Sequence, residues 1–390
     1  MRGGRRRRPP GRSCGCGPHG GADPTSAGGC RGPGRCTVTD TERDLPADGS
    51  PWDSIVPRSG EEPPTDRRWG GPGSGPPVPV EDLHYELVGR PEPPPVPNGW
   101  YAIAASSDVA AGDVLSTIAV ERELVVFRSA DGAVGVLDAH CPHLGAHLGG
   151  GTVVGSCLRC PYHSWGFDVK GACVEIPYSD ARIPARARAG RYPTVEQDGM
   201  ILFWFHVGGL EPTYDVPLVE ECQDPGFSDP YEFRIELVAS LQDMAENNVD
   251  YTHFRFVHGR ASLDASTSQF STDGPFSTVI ERFDDADLTF TRWTWGPGMA
   301  LLRVPEFMTM HTATTPIDRR HVRLLWNFYF PPSTVALAAE IIDGVVGPHG
   351  LLADVPIWRD KVFRERPLLV RGDGPITEFR RWYAQFYEGR

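Results

Sequence analysis

The sequence contains no run of eighteen consecutive apolar residues, so no transmembrane helix is expected. Its longest apolar stretches, GMILFWFHV (199–207) and STVALAAEIIDGVVG (333–347), are short and interrupted, and read as a buried strand and a helical or loop segment. No apolar h-region follows the N-terminal arginine cluster, so no signal peptide is expected. Basic residues are scarce beyond the first eighty positions. Residues 1–80 hold 12 Arg/Lys against 9 Asp/Glu, and the remainder holds 26 against 42, a net charge of −16. So acidic a body argues against nucleic acid or an anionic membrane as a partner. A disulfide framework is missing too. The nine cysteines fall at 14, 16, 30 and 36, at four positions from 141 to 173, and at 222. That pattern suits metal-bound thiolates in a reducing compartment, so a cytoplasmic location is expected. Methionine is absent between Met1 and Met200, which leaves a mis-assigned upstream start open.

What is present is a chain of 390 residues, enough for two or three domains. Residues 1–85 are rich in Gly, Pro and Arg and poor in apolar side chains, so they cannot offset their ordering entropy and are expected to be disordered. From Gly99 the text is β-like. ELVVFRSADGAVGVLDAHCPH sets two apolar runs around an Asp131-Gly132 turn and delivers Cys141 at a strand end. A second hairpin turns at Lys170-Gly171, and GMILFWFHV closes the unit as a central strand. Beyond residue 207 the pattern is mixed. There is a helical centre in IELVASLQDMAENNVDYTHFRFVHG, then strands in STVIERFDDADLTFTRWTWG and HVRLLWNFYFPP, then a C-terminal helix in PITEFRRWYAQFYEGR. An α+β chain is expected, with an all-β domain at 99–207 and an α+β domain at 208–390.

Four residues stand out first. Cys141-x-His143 and Cys160-x2-His163 are separated by sixteen positions and sit on proline-bearing turns. Two Cys and two His could hold tetrahedral zinc. C-x-H is an unusual zinc half-site, however, and the two halves suit a [2Fe–2S] cluster better, with thiolates on one iron and imidazoles on the other. Cys157 is then a surplus thiol, or a ligand if the metal is zinc. His140 reads as a strand-end residue and His147 as a neighbour of the site. Tyr162 and Trp165 read as bulky shields.

A cluster moves one electron at a time, and a protein that did no more would need about a hundred residues. This chain continues with ENNVDYTHFRFVHG, in which Asp250, His253 and His258 form D-x2-H-x4-H. On an ideal helix His258 would lie about 140° from His253, so the two can share a metal only if the helix ends or bulges between them. Two His and one carboxylate make the facial triad of non-haem Fe(II), which leaves open positions for O2. The segment LLADVPIWRDKVF offers Asp354 and Asp360 as the carboxylate, and Asp354 is preferred for its place ahead of an apolar patch. Asp250, one turn before His253, is then placed to orient the imidazole and carry an electron-transfer hydrogen bond, and Asn247 could join it. Residues 290–308 (FTRWTWGPGMALLRVPEFM) are candidates for lining a substrate pocket, with plain sheet core as the alternative.

These motifs together resemble the Rieske non-haem iron oxygenases, over most of the chain from Gly99 to Tyr387. Within that family the resemblance is to the sterol-acting branch, the cholesterol 7-desaturases and the 3-ketosteroid 9α-hydroxylase oxygenase component. It is carried by CPHLGAHLGGGTVVGSCLRCPYHSWGFD, CVEIPY, GMILFWFH, NVDYTHFRFVH, DVPIW and GDGPITEFRRWYAQFY. The resemblance implies a helix-grip-like catalytic domain behind the Rieske domain. It implies that Cys141, His143, Cys160 and His163 bind [2Fe–2S] and that His253, His258 and Asp354 bind mononuclear Fe(II). It also implies a head-to-tail homotrimer, with His163 of one subunit near Asp250 of the next. Electrons would come from NAD(P)H through a ferredoxin or flavin reductase, and a hydrophobic, sterol- or steroid-like substrate would be desaturated or hydroxylated with O2. Two departures are Ser164, where the family has Gly, and a hydrophilic N-terminus where the eukaryotic desaturases have a membrane anchor. A Rieske ferredoxin is the competing class, and would need only the first site.

Overall fold

The computed structural model describes residues 91–259, 268–283 and 288–388, which belong to one compact unit. The expected disorder of residues 1–85 lies outside the described residues.

Eleven strands come first: β1 (Gly99–Ala105), β2 (Val114–Ala119), β3 (Arg122–Arg128), β4 (Val134–Asp138), β5 (Thr152–Val154), β6 (Cys157–Arg159), β7 (Gly166–Phe167), β8 (Cys173–Glu175), β9 (Arg191–Tyr192), β10 (Thr194–Gln197) and β11 (Met200–Phe205). They form three antiparallel sheets, β2-β3-β4-β9, β5-β6-β7-β8 and β1-β11-β10. The hairpins fall at the turns read from the sequence. Gly132 (φ 93°) and Gly171 (φ 72°) supply left-handed backbone between β3 and β4 and between β7 and β8. MILFWF becomes β11, central in its sheet and buried along its whole length.

After β12 (Tyr231–Val238) come two short helices, α1 (Leu241–Glu246) and α2 (Tyr251–Phe256). The chain then returns through β13 (Gln269–Asp273), β14 (Phe276–Phe283), β15 (Leu288–Trp295), β16 (Met299–Val304), β17 (Met308–Pro316) and β18 (His321–Tyr329). These make one antiparallel sheet of seven strands in the order β12-β18-β17-β16-β15-β14-β13. Three helices follow: α3 (Ala338–Val346), α4 (Leu351–Asp360) and α5 (Ile376–Tyr383).

The sheets share a core. Tyr101, Ile103 and Phe203 of β1 and β11 join Phe233 and Phe328 of the large sheet and Ile341, Leu351 and Trp358 of α3 and α4 in one apolar cluster. On the other side of the large sheet, Trp100, Leu202 and Trp204 pack against Trp295, Leu301, Ala313 and Leu325. The helical run Val335–Asp360 is long and apolar enough, with mean hydropathy 1.4, to cross a membrane by composition alone. Here it is broken at residues 347–350, and Ile341, Ile342, Val346 and Leu351 are buried in the main core. The C-terminal aromatics Phe379, Trp382, Tyr383 and Phe386 form a cluster with Val249 and Tyr251, bracing the start of α2.

Candidate active site

Two loops of matching construction carry the first set of residues. Cys141 N–H donates to Ala146 O, and Gly145 N–H returns to Cys141 O; in the second loop Cys160 N–H donates to Trp165 O and Ser164 N–H to Cys160 O. Each loop closes through a left-handed residue, Gly145 (φ 76°) and Ser164 (φ 58°). Glycine adopts that region freely and serine at a cost, so the Ser164 departure is a strained one. The loops bring Cys141 and Cys160 together, both buried. Burial, with Cys160 alongside, pushes the Cys141 thiol up to about 11. The rings of His143 and His163 lie 4.8 Å apart at 68°, half-buried at the outer end.

The donors therefore divide into a buried sulfur pair and an outer nitrogen pair, as a [2Fe–2S] cluster with two thiolates on one iron and two imidazoles on the other requires. Trp165 stacks on His143 with centroids 4.4 Å apart, and Tyr162 lies 3.8 Å from His163. Cys157 is half-buried on β6 beside Ser156. His147 caps a 3-10 turn by accepting from Gly149 N–H, and His140 and His147 both face Glu123.

The second set assembles where α2 ends. The helix stops at Phe256, and Gly259 (φ 69°) turns the chain away, which supplies the helix exit that the spacing of His253 and His258 demands. The two rings lie 5.1 Å apart at 74°. Asp354, in the first turn of α4, points at them, with its Oδ2 3.3 Å from His258 Nε2. One donor atom from each of His253, His258 and Asp354 falls within 4.8 Å of the others. Asp360 lies elsewhere, paired with Arg359 at the surface.

Backbone carbonyls hold the rings from behind. His253 Nδ1 meets the Asp250 carbonyl, and His258 Nδ1 meets the His349 carbonyl at 3.2 Å, which leaves each Nε2 to face inward. Burial lowers the His253 pKa, keeping the ring neutral and its lone pair free. Asp250 orients the imidazole through its backbone, which corrects the expectation that its carboxylate would do so. That carboxylate is the N-cap of α2, accepting from His253 N–H at 3.3 Å. The reason is local: a six-residue helix has few internal bonds, so the side chain at its start is drawn to its orphan N–H groups. Asn247 Oδ1 accepts from Trp358 Nε1 at 3.4 Å, tying α1 to the helix that carries Asp354.

The three residues open onto a cavity of about 170 Å³. Leu241, Met244, Phe254, Met310, Trp326 and Trp358 make its apolar wall, and Arg292 and Thr312 are among its polar groups. Of the 290–308 segment, Arg292, Thr294, Pro297, Gly298, Met299 and Ala300 reach the cavity. Trp293 and Trp295 instead join the opposite core, because alternate strand residues take opposite faces. The lining from β17 and β18 went unread in the sequence; only the phase of those strands reveals it.

Residues 203–387 match the family described as the 3-ketosteroid 9α-hydroxylase C-terminal domain, and residues 99–193 match the Rieske [2Fe-2S] domain. The cholesterol 7-desaturase nvd of Drosophila melanogaster is 31% identical over 329 residues, 76% of this chain and 76% of that protein. The probable 3-ketosteroid-9-alpha-monooxygenase, oxygenase component, of Rhodococcus rhodochrous is 30% identical over 330 residues, 77% of this chain and 82% of that protein. Among solved structures, dicamba monooxygenase bound to dicamba superposes with a TM-score of 0.61 at 19% identity, over 74% of this chain and 96% of that one. The Pseudomonas putida CBB5 NdmA QL mutant with caffeine gives 0.63 at 21%, over 73% and 89%. At these identities the solved structures speak to the fold alone.

Proposed function

This chain belongs to the Rieske oxygenases that include the cholesterol 7-desaturases and the 3-ketosteroid 9α-monooxygenase oxygenase component, and from that premise we propose that it desaturates or hydroxylates a sterol-like substrate. It is an oxidoreductase, an oxygenase component that works with a reductase or ferredoxin. The observation that carries the substrate reading is the placing of His253, His258 and Asp354 at the wall of a largely apolar cavity, in a chain 31% identical to a sterol desaturase.

In this reading Cys141, Cys160, His143 and His163 hold the [2Fe–2S] cluster, and His253, His258 and Asp354 hold the iron. When bound, the two centres supply single-electron transfer and O2 activation at the iron's open positions. The protein's own groups do the rest. The Asp250 and His349 carbonyls fix the imidazoles, and the apolar wall displaces water and orients the substrate. Desaturation consumes one O2, one NAD(P)H and one proton, removes two substrate hydrogens and yields two waters; hydroxylation takes the same inputs and yields one water and the alcohol.

The assembly we read is a head-to-tail homotrimer. Leu144, Tyr162 and Tyr178 form an exposed rim around the His163 loop. Phe256, Leu368 and Val370 are exposed beside α2, where Thr252 bonds to Gly372 O. Exposed apolar groups at both places suit a contact that brings His163 to the next subunit's Asp250. Cys141, Cys157, Cys160, Cys173 and Cys222 stand outside any disulfide, which favours a cytoplasmic location.

The test is product analysis with cholesterol and a 3-ketosteroid, using O2, NAD(P)H and a reconstituted reductase chain. A product two mass units lighter, or one oxygen heavier, supports the reading. Oxidation of neither steroid by protein with both centres loaded refutes the substrate class.

A further inference from the structure

A second cluster of donor atoms lies on the far face of the seven-stranded sheet. Along β17, Met310, Thr312 and Thr314 line the cavity, and the alternate residues His311, Ala313 and Thr315 turn toward β1 and β11. His311 is wholly buried there, and neither ring nitrogen has a hydrogen-bond partner. Facing it are Asp198, in the left-handed turn between β10 and β11 (φ 51°), and Cys222, at the end of the 3-10 turn Glu220–Cys222. One donor atom of each of the three lies within 4.8 Å of the others.

The carboxylate is half used. Asp198 Oδ2 accepts from Val219 N–H at 3.1 Å, while its Oδ1 is buried without a partner. Asn327, opposite His311 in the β17–β18 ladder, also buries an unpartnered Oδ1. Each buried polar atom left without a partner costs about 1–3 kcal/mol, so three side chains with such atoms at one spot call for a common partner.

We propose that Asp198, Cys222 and His311 form a metal site separate from the two iron centres, for a divalent ion of the Zn2+ class. Imidazole nitrogen, thiolate sulfur and carboxylate oxygen are together the borderline donor set that zinc takes. Bonds of about 2.0–2.3 Å put tetrahedral donors about 3.5 Å apart, within reach of the spacing found. The fourth position falls to water or to Asn327 Oδ1. The ion would tie the β10–β11 turn and the Glu220–Cys222 turn to the back of the large sheet, a structural role.

Sulfur count identifies the site. Zinc misplaced at Cys141 and Cys160 would see two sulfurs, zinc at His253, His258 and Asp354 none, and zinc at the proposed site one. The iron-loaded protein is incubated with equimolar Zn2+, desalted, and measured by metal analysis and zinc-edge X-ray absorption. One zinc per chain with a single sulfur at about 2.3 Å is expected. Cys222→Ser and Asp198→Asn should each lower zinc affinity at least tenfold with the iron and sulfide content unchanged. Asp198→Asn keeps an acceptor for Val219 N–H and so tests the site should Cys222→Ser fold poorly. No retained zinc, zinc with two or no sulfurs, or full zinc binding by Asp198→Asn overturns the proposal.

Discussion

Asp250 stands at the start of α2, and its carboxylate has two separable jobs. As a cap it satisfies an orphan N–H of a helix only six residues long, at 3.3 Å from His253 N. Loss of such a cap costs about 1 kcal/mol. As a charge it would, in the proposed trimer, stand between the neighbouring subunit's cluster and His253. Asn caps nearly as well as Asp, so Asp250→Asn removes the charge and keeps the cap, whereas Asp250→Ala removes both. We expect Asp250→Asn to unfold within about 0.5 kcal/mol of wild type, and Asp250→Ala to lose about 1 kcal/mol, in urea titrations followed by circular dichroism. Both should keep their iron, because the ring contact is made by the backbone carbonyl, which neither substitution removes. The decisive assay is re-oxidation of the pre-reduced cluster by O2 with substrate present, followed by visible absorption in a single turnover. A slowing of at least tenfold in both variants, about 1.4 kcal/mol or more on the barrier, is expected. Wild-type re-oxidation in Asp250→Asn would refute the electron-transfer role and leave the carboxylate as a helix cap.

Further perturbations reach other parts of the account. Thr312→Phe, in the cavity wall, should lower steroid turnover at least tenfold while the cluster and iron contents stay at wild type; unchanged turnover would take the substrate out of this cavity. Gly374→Ala would drive a Cβ into the Val249 carbonyl oxygen, just ahead of Asp250, so the backbone must shift. It should destabilise by about 1–3 kcal/mol and weaken iron retention, read by unfolding midpoints and iron analysis. His321, at the head of β18, is raised above the ordinary histidine value chiefly by its bond to Asp318. A raised folded pKa gives stability that is complete below the unfolded value of about 6.5 and is lost as pH climbs through the folded one. Because the pair is partly exposed, the loss should be no more than about 1 kcal/mol, and His321→Gln should remove it from a plot of urea midpoint against pH.

Much of the site could be read from the chain because its chemistry is local. Cys141 and His143, or Cys160 and His163, share one turn, and the helix exit needed between His253 and His258 follows from angles alone. Asp354 was harder, being almost a hundred residues from His258; its place ahead of an apolar patch favoured it over Asp360, and in the fold Asp354 faces the histidines while Asp360 is at the surface. What sequence could not show depends on strand phase and on distant residues meeting. Nothing local tells that Arg292 and Thr294 face the cavity while Trp293 and Trp295 face away. Asp198, Cys222 and His311 belong to separate segments with no motif, and only the packing of two sheets joins them. The D-x2-H spacing identifies Asp250 and not which of its oxygens meets the ring; the backbone carbonyl does so, and the carboxylate caps α2.

The central claim is that this chain carries two iron centres, one for electrons and one for oxygen. Anaerobic reconstitution followed by iron and acid-labile sulfide analysis tests it most directly. Three iron and two sulfide per chain are predicted, falling to two iron and two sulfide in His253→Ala. Two iron per chain in the wild type would remove the mononuclear centre, and with it the oxygenase reading.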